Sequence, residues 1–166
     1  AAPDEAGLSA WSAQAAVVRE RATAVGTAAT VEEACQRTAS LAAACARCHA
    51  ETGVSPEFRA PPAAPPDRPT IDARMTRHVW AVERIREGVI GGDDSAWRAG
   101  LDVLAQAPLP WRASDGARGA LAKQLHDVAD RARHRAPDRA RTYGELLVTC
   151  AACHATATPP AEPQPR

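Results

Sequence analysis

The sequence has 166 residues, with 20 Lys and Arg against 20 Asp and Glu, so its formal net charge is zero and no excess of either sign points to nucleic acid or an anionic membrane surface as its partner. Hydrophobic residues make up 45% but aromatic residues only 4%. Small side chains buried at roughly 25 cal/mol per Å² give a modest drive for folding, which implies that a further apolar body is bound inside. No stretch approaches the ~20 apolar residues of a membrane span.

The chain begins AAPDEAG, which reads as the mature start of a periplasmic or otherwise exported protein after cleavage between small residues. From about Leu8 the apolar positions Trp11, Ala15, Val18, Ala22 and Val25 follow helical spacing, the inner stripe of an amphipathic helix. TVEE then offers a capping box, Thr30 as N-cap and Glu33 reaching back, to start a second helix. Its face carries Cys35, Thr38, Ala42, Cys45 and His49, so the hexapeptide CARCHA, Cys45 to Ala50, closes that inner face.

Residues 51–70 are rich in proline, which lacks an amide donor and biases its predecessor away from helical dihedrals; they form a linker or a wrapped loop. A third helix begins near Thr70, has the face Ile71, Met75, His78, Val82, Ile85 and Val89, and stops at Gly91 and Gly92. Asp93 or Asp94 caps a short fourth helix, SAWRAGLDVLAQ, before the break at Pro108 to Pro110. Ser114 or Asp115 caps the next, through Leu121, Leu125, Val128 and Ala132. Pro137 suits a first helical position, and the last helix carries Ala140, Tyr143, Leu147, Cys150 and His154 on one face. No strand pattern of useful length occurs. The chain therefore reads as all-α, a bundle of about five helices: a hairpin over 8–50, the connector 51–70, a bundle over 71–157 and a disordered tail 158–166.

CARCHA recurs as CAACHA, Cys150 to Ala155, and the segments aligned on Cys45 and Cys150 suggest an imperfect repeat. Zinc needs four ligands converging on one metal, usually within a few tens of residues. A redox dithiol sits at a helix N-terminus after a strand; both motifs here lie late in helices. Haem c fits better: two thiols two residues apart add to the two vinyl groups of one porphyrin, and the next histidine becomes the proximal iron ligand. This assigns two covalent haems, one to Cys45, Cys48 and His49, the other to Cys150, Cys153 and His154.

Function then turns on the sixth iron position. His78 lies at a core position and is the leading distal candidate, with Met75 one turn earlier as the alternative. His126, at the edge of its helix face between Ala122 and Ala129, is a second distal candidate, although an edge histidine paired with Asp127 or Asp130 is the simpler reading. His134 sits in a basic run at a helix C-terminus, where a surface cation suits the dipole. Cys35 reads as a small buried thiol, and Trp11, Trp80, Trp97 and Trp111 as core or haem-edge packing.

With its CxxCH near the end of the last helix, the segment 71–157 resembles the cytochrome c-prime family and its six-coordinate relatives. The stretch MTRHVWAVERIREGVIGGDDSAWRAGLDVLAQAPL is also similar to one found in bacterial proteins with two CxxCH motifs, predicted to be dihaem cytochromes c, where the histidine matching His78 looks like an axial ligand. The resemblance implies His78 or Met75 over the haem on His154, leaving His126 for the haem on His49; reading by repeat units pairs His126 with His154 instead. The family's high-spin members keep an apolar residue near the iron, so a histidine there implies a different function, and the short fourth segment departs from the family. The expected function is electron transfer to and from redox partner proteins through low-spin, bis-histidine haems. The alternative is a gas-binding or sensing protein with a five-coordinate haem. An enzyme role such as a small peroxidase is disfavoured by the lack of a distal acid-base pair.

Overall fold

The computed structural model describes residues 5–54, 56, 58, 63–106, 109, 115–135 and 138–156. Among them lie six helices and no strand: α1 (Glu5–Gly26), α2 (Val31–Thr52), α3 (Ile71–Gly91), α4 (Asp94–Gln106), α5 (Gly116–His134) and α6 (Arg139–Ala155). The count is six against the expected bundle of about five, and the short helix expected at SAWRAGLDVLAQ is α4. Pro108, Pro110, Trp111, Ser114, Pro137 and the tail 158–166 lie outside the described residues.

Local chemistry sets most of the boundaries. Thr30 Oγ1 accepts from the Glu33 amide at 3.1 Å, and Glu33 reaches back to the Ala29 amide at 2.7 Å, which closes the capping box one residue earlier than Thr30 itself. Asp93 Oδ1 takes the Ser95 and Ala96 amides at 2.8 and 3.0 Å, so Asp93 is the cap of α4. Asp138 caps α6 through the Arg141 amide at 3.0 Å, so the helix starts after Asp138. Gly53 and Gly92 end α2 and α3 in the left-handed region, at φ 66° and 69°, where a Cβ would be strained. α2 runs on through Thr52, which takes two residues from the expected connector.

The helices α3, α4, α5 and α6 form a ring in which α3 packs on α4, α4 on α5, α5 on α6, and α6 more lightly on α3. α2 lies across α3 and α6, and α1 touches α2 alone. α1 therefore has a partner on one side only. Trp11 is 58% exposed and Ala22 is exposed as well, contrary to the expected inner stripe, because no second element covers that arc.

The α3/α4 contact is close-packed through two glycines. A Cβ on Gly88 would stand 2.6 Å from the Trp97 Cβ, and one on Gly100 would stand 2.5 Å from the Ala81 carbonyl oxygen. Arg139 then fastens the start of α6 to this pair: its guanidinium donates to the Gly88 carbonyl at 2.9 Å, pairs with Asp94 and lies 5.5 Å from the Trp97 ring centroid. Of the 20 buried hydrophobic residues described, nine are alanines. The interior is as thin as the composition implies.

The proline-rich connector is a wrapped loop where it is described. Arg77 donates to the Pro65 carbonyl at 2.5 Å, Gly91 lies against Phe58, and Ala64 packs on the core. Arg77, Arg84 and Gly91 recur at two-turn steps and so share one face of α3. On that face Arg84 and Glu87 form an ion pair with only 9% of each side chain exposed.

Candidate functional site

The direction of the helices decides where the two motifs stand. Gly144 of α6 lies against Gln36 and Ala39 of α2, and the Cys150 thiol feels Cys35, so later residues of α6 meet earlier residues of α2. The two helices are antiparallel. Each motif closes its helix, and the motifs therefore point to opposite ends of the bundle.

At one end, Cys150, Cys153 and His154 of α6 line a cavity of about 410 Å³ together with α3 and α5, a volume within the ~300–1,000 Å³ usual for ligand sites. Met75 and His78 of α3 line it too, and Val82, Leu121, Leu125 and Leu147 make much of its wall. α3 and α5 both border the void yet make no helix contact with each other; the void is what separates them. Ile71 and Val79 of the lining are 47% and 58% exposed. His78 is buried, at 6%, whereas His154 is exposed.

Arg118 also lines the cavity, and it is tied to the end of α6 by donation to the Thr156 carbonyl at 2.7 Å. Burial pushes the Cys150 thiol up to about 11, helped by the neighbouring Cys153 and Cys35. Burial raises Cys153 as well, partly opposed by Arg118. Both thiols stay protonated near neutrality, the reverse of a redox dithiol, whose attacking thiol needs a lowered pKa.

At the other end, Cys45, Cys48 and His49 sit half-buried in the last turns of α2. Burial and the adjacent Cys48 raise the Cys45 thiol. His49 Nδ1 lies 3.0 Å from the Ile90 carbonyl oxygen near the end of α3. A ring nitrogen facing a carbonyl donates, so the proton sits on Nδ1 and the lone pair on Nε2. Gly53 turns the chain, and the Val54 amide returns to the His49 carbonyl at 3.0 Å. α1 flanks this end through a Gln14–Glu51 hydrogen bond, one turn after Trp11. Val54 is 56% exposed.

The two sites are well apart. Ile90 follows His78 by 12 residues on α3, about 18 Å of helix rise. The cysteines and histidines of the two motifs therefore do not meet at one point, and among the described residues no group of three or more His, Cys, Asp or Glu side chains converges to hold a metal ion. His78 and Met75 are brought to the His154 motif. His126 is brought to neither: it does not border the cavity, and its helix α5 packs on α4 and α6 with no close backbone approach to α2. Its Nδ1 is buried without a hydrogen-bond partner among the described residues. His134 is exposed and stands 3.5 Å from Asp130. Cys35 is half-buried, its thiol raised by burial and by Glu32.

Sequence reasoning did not single out Arg118 or the Ile90 carbonyl. Neither carries a local signal, since one is an arginine among many and the other a backbone group. None of the described helices is long and apolar enough to cross a membrane. No protein-family model, no curated protein and no solved structure matches the chain.

Proposed function

We propose that the chain is an exported, periplasmic dihaem c-type cytochrome that carries electrons between redox partner proteins. The observation that carries this reading is the meeting, around one apolar cavity of about 410 Å³, of Cys150, Cys153 and His154 with the buried His78. A six-coordinate haem c would need two thiols for attachment, two ligands to its iron and an apolar slot, and the cavity lining offers residues of each kind.

The fit extends to the edges of the slot. Exposed Ile71 and Val79 are the surface that a flat hydrophobe would cover. Arg118, the one arginine among the described lining residues, would pair with a propionate carboxylate, an interaction strengthened by charge on both partners. Cys150 and Cys153, protonated and half-buried, would form the thioethers. His154 and His78 would bind the iron, with Met75 one turn away as the alternative to His78. At the other end Cys45, Cys48 and His49 would hold the second haem, with His49 oriented by the Ile90 carbonyl.

When bound, the group supplies one-electron iron chemistry, and bis-histidine ligation lowers its potential relative to histidine-methionine ligation. The chain's own contribution is orientation and exclusion of water. His78 does both, since it is buried among apolar residues on a helix held rigid by α4.

The mass of the holoprotein tests the reading. It should exceed the polypeptide by two haems, and Cys150→Ser with Cys153→Ser should remove one of them. An unmodified mass would end the proposal. Optical and EPR spectra should also show at least one low-spin haem, assigned to the His154 site by its loss of low-spin character in His78→Ala.

A further inference from the structure

Resting on that dihaem reading, we infer that the fold orders the two reduction potentials, lower at the His49 haem and higher at the His154 haem, and so sets the direction of electron flow. A reduced donor protein gives one electron to the iron at the α2 terminus. That iron passes it to the iron at the α6 terminus, which gives it to an oxidised acceptor protein, and no bond is made or broken.

Much that acts on the two sites is the same and cancels. Each motif closes its own helix, so His49 and His154 both stand in a last turn, at the negative ends of α2 and α6. Nearby side-chain charges also balance: Arg47 and Glu51 flank His49 along α2, and Glu83 and Arg118 share the cavity lining. What does not cancel is α3, which reaches both sites with opposite ends. Its first residue, Ile71, borders the cavity with Met75 and His78, and its last turn supplies the Ile90 carbonyl to His49. A helix carries partial positive charge at its amino end and partial negative charge at its carboxyl end. The amino end of α3 therefore favours the reduced iron at one site, and the carboxyl end favours the oxidised iron at the other. Asp72, in the first turn of α3, does not border the cavity. The start of α4, next after the end of α3, has amides taken by the Asp93 carboxylate, which leaves little positive charge there to oppose the Ile90 end.

Three further features act in the same direction. The His49 ring donates from Nδ1 to the Ile90 carbonyl at 3.0 Å, which makes it a more basic ligand and favours ferric iron. The His154 ring is exposed and has no carbonyl partner among the described residues. Val82, Leu121, Leu125 and Leu147 wall the cavity, a setting of low dielectric that penalises the extra positive charge of ferric iron; the α2 terminus instead carries the polar Gln14, Glu51 and Thr52. The sequence has a single methionine, Met75, and it borders the cavity. Histidine-methionine ligation, which raises the potential, is thus open to the His154 site alone.

Redox titration of the full-length holoprotein tests the order, once mass has established two haems per chain. Two midpoints should appear, separated by at least tenfold in the ratio of reduced to oxidised haem, about 59 mV for a one-electron couple. Cys45→Ser with Cys48→Ser should keep only the upper midpoint, and Cys150→Ser with Cys153→Ser only the lower. A second measurement needs no loss of haem: on stepwise reduction followed by EPR, the low-spin signal that His78→Ala abolishes should disappear first. The reverse order, or midpoints closer than tenfold, would overturn the inference while leaving the dihaem reading intact. Fewer than two haems by mass would defeat the dihaem reading itself, a distinct failure.

Discussion

His49 and His78, both proposed as iron ligands, are held in different settings. His49 is oriented by one hydrogen bond to the Ile90 carbonyl at 3.0 Å, and His78 by burial at the edge of the cavity. If His78 is the axial partner of His154, Met75→Leu should leave the spin state of that haem unchanged while His78→Ala makes it high-spin, read by EPR. The thiols proposed as attachment points give a second prediction, read in the chain without haem. Cys150, raised to about 11 by burial, should resist iodoacetamide at pH 8 and react only as pH approaches 11, measured by mass spectrometry. A folded-state pKa above the unfolded one means that this burial stabilises the apo chain below about pH 9, with the contribution lost as pH rises toward 11. At this scale the cysteine-histidine motifs were legible because their spacing is local in sequence. Arg118 was not, because only the fold brings α5 to the end of α6.

The helices themselves were legible for the same reason. Thr30 with Glu33, Asp93 and the Gly92 stop are signals within a few residues, and the expected elements begin and end close to them. Burial was less so. The α1 stripe fails at Trp11 and Ala22 because exposure depends on how many neighbours a helix has, and α1 has one. Contact geometry between elements gives the clearest stability predictions. Gly88→Ala pushes a methyl to 2.6 Å from the Trp97 Cβ and should cost ~1–3 kcal/mol by overpacking, seen as a fall of several degrees in Tm. Arg84→Ala leaves Glu87 buried without its partner, which should cost ~3–5 kcal/mol, whereas the exposed Lys123–Asp127 pair should contribute under ~1 kcal/mol when broken. Urea titration of the three variants would rank them.

For the whole molecule, the all-α class followed from periodicity, but the relation between the two motifs did not. The imperfect repeat suggested equivalent hairpins; the antiparallel course of α2 and α6 sends the motifs to opposite ends, a long-range fact with no short-range signature. The void between α3 and α5 also makes the ring incomplete by itself, with nine alanines among 20 buried hydrophobic residues. A haem held there by thioethers would stay on the chain in both states and would stabilise the fold by packing into this void, which the unfolded chain does not offer. The Cys150→Ser, Cys153→Ser chain should therefore unfold with a lower Tm and a broader transition than the holoprotein, measured by circular dichroism.

The separation of the two ends has a kinetic consequence. On the proposed electron-transfer reading, proteins docking at the α2 terminus and at the α6 terminus would not compete for the same surface, so a donor and an acceptor would be engaged at once. Turnover between two such partners should then follow the converging double-reciprocal lines of a ternary complex, where a carrier with a single docking face gives parallel ones.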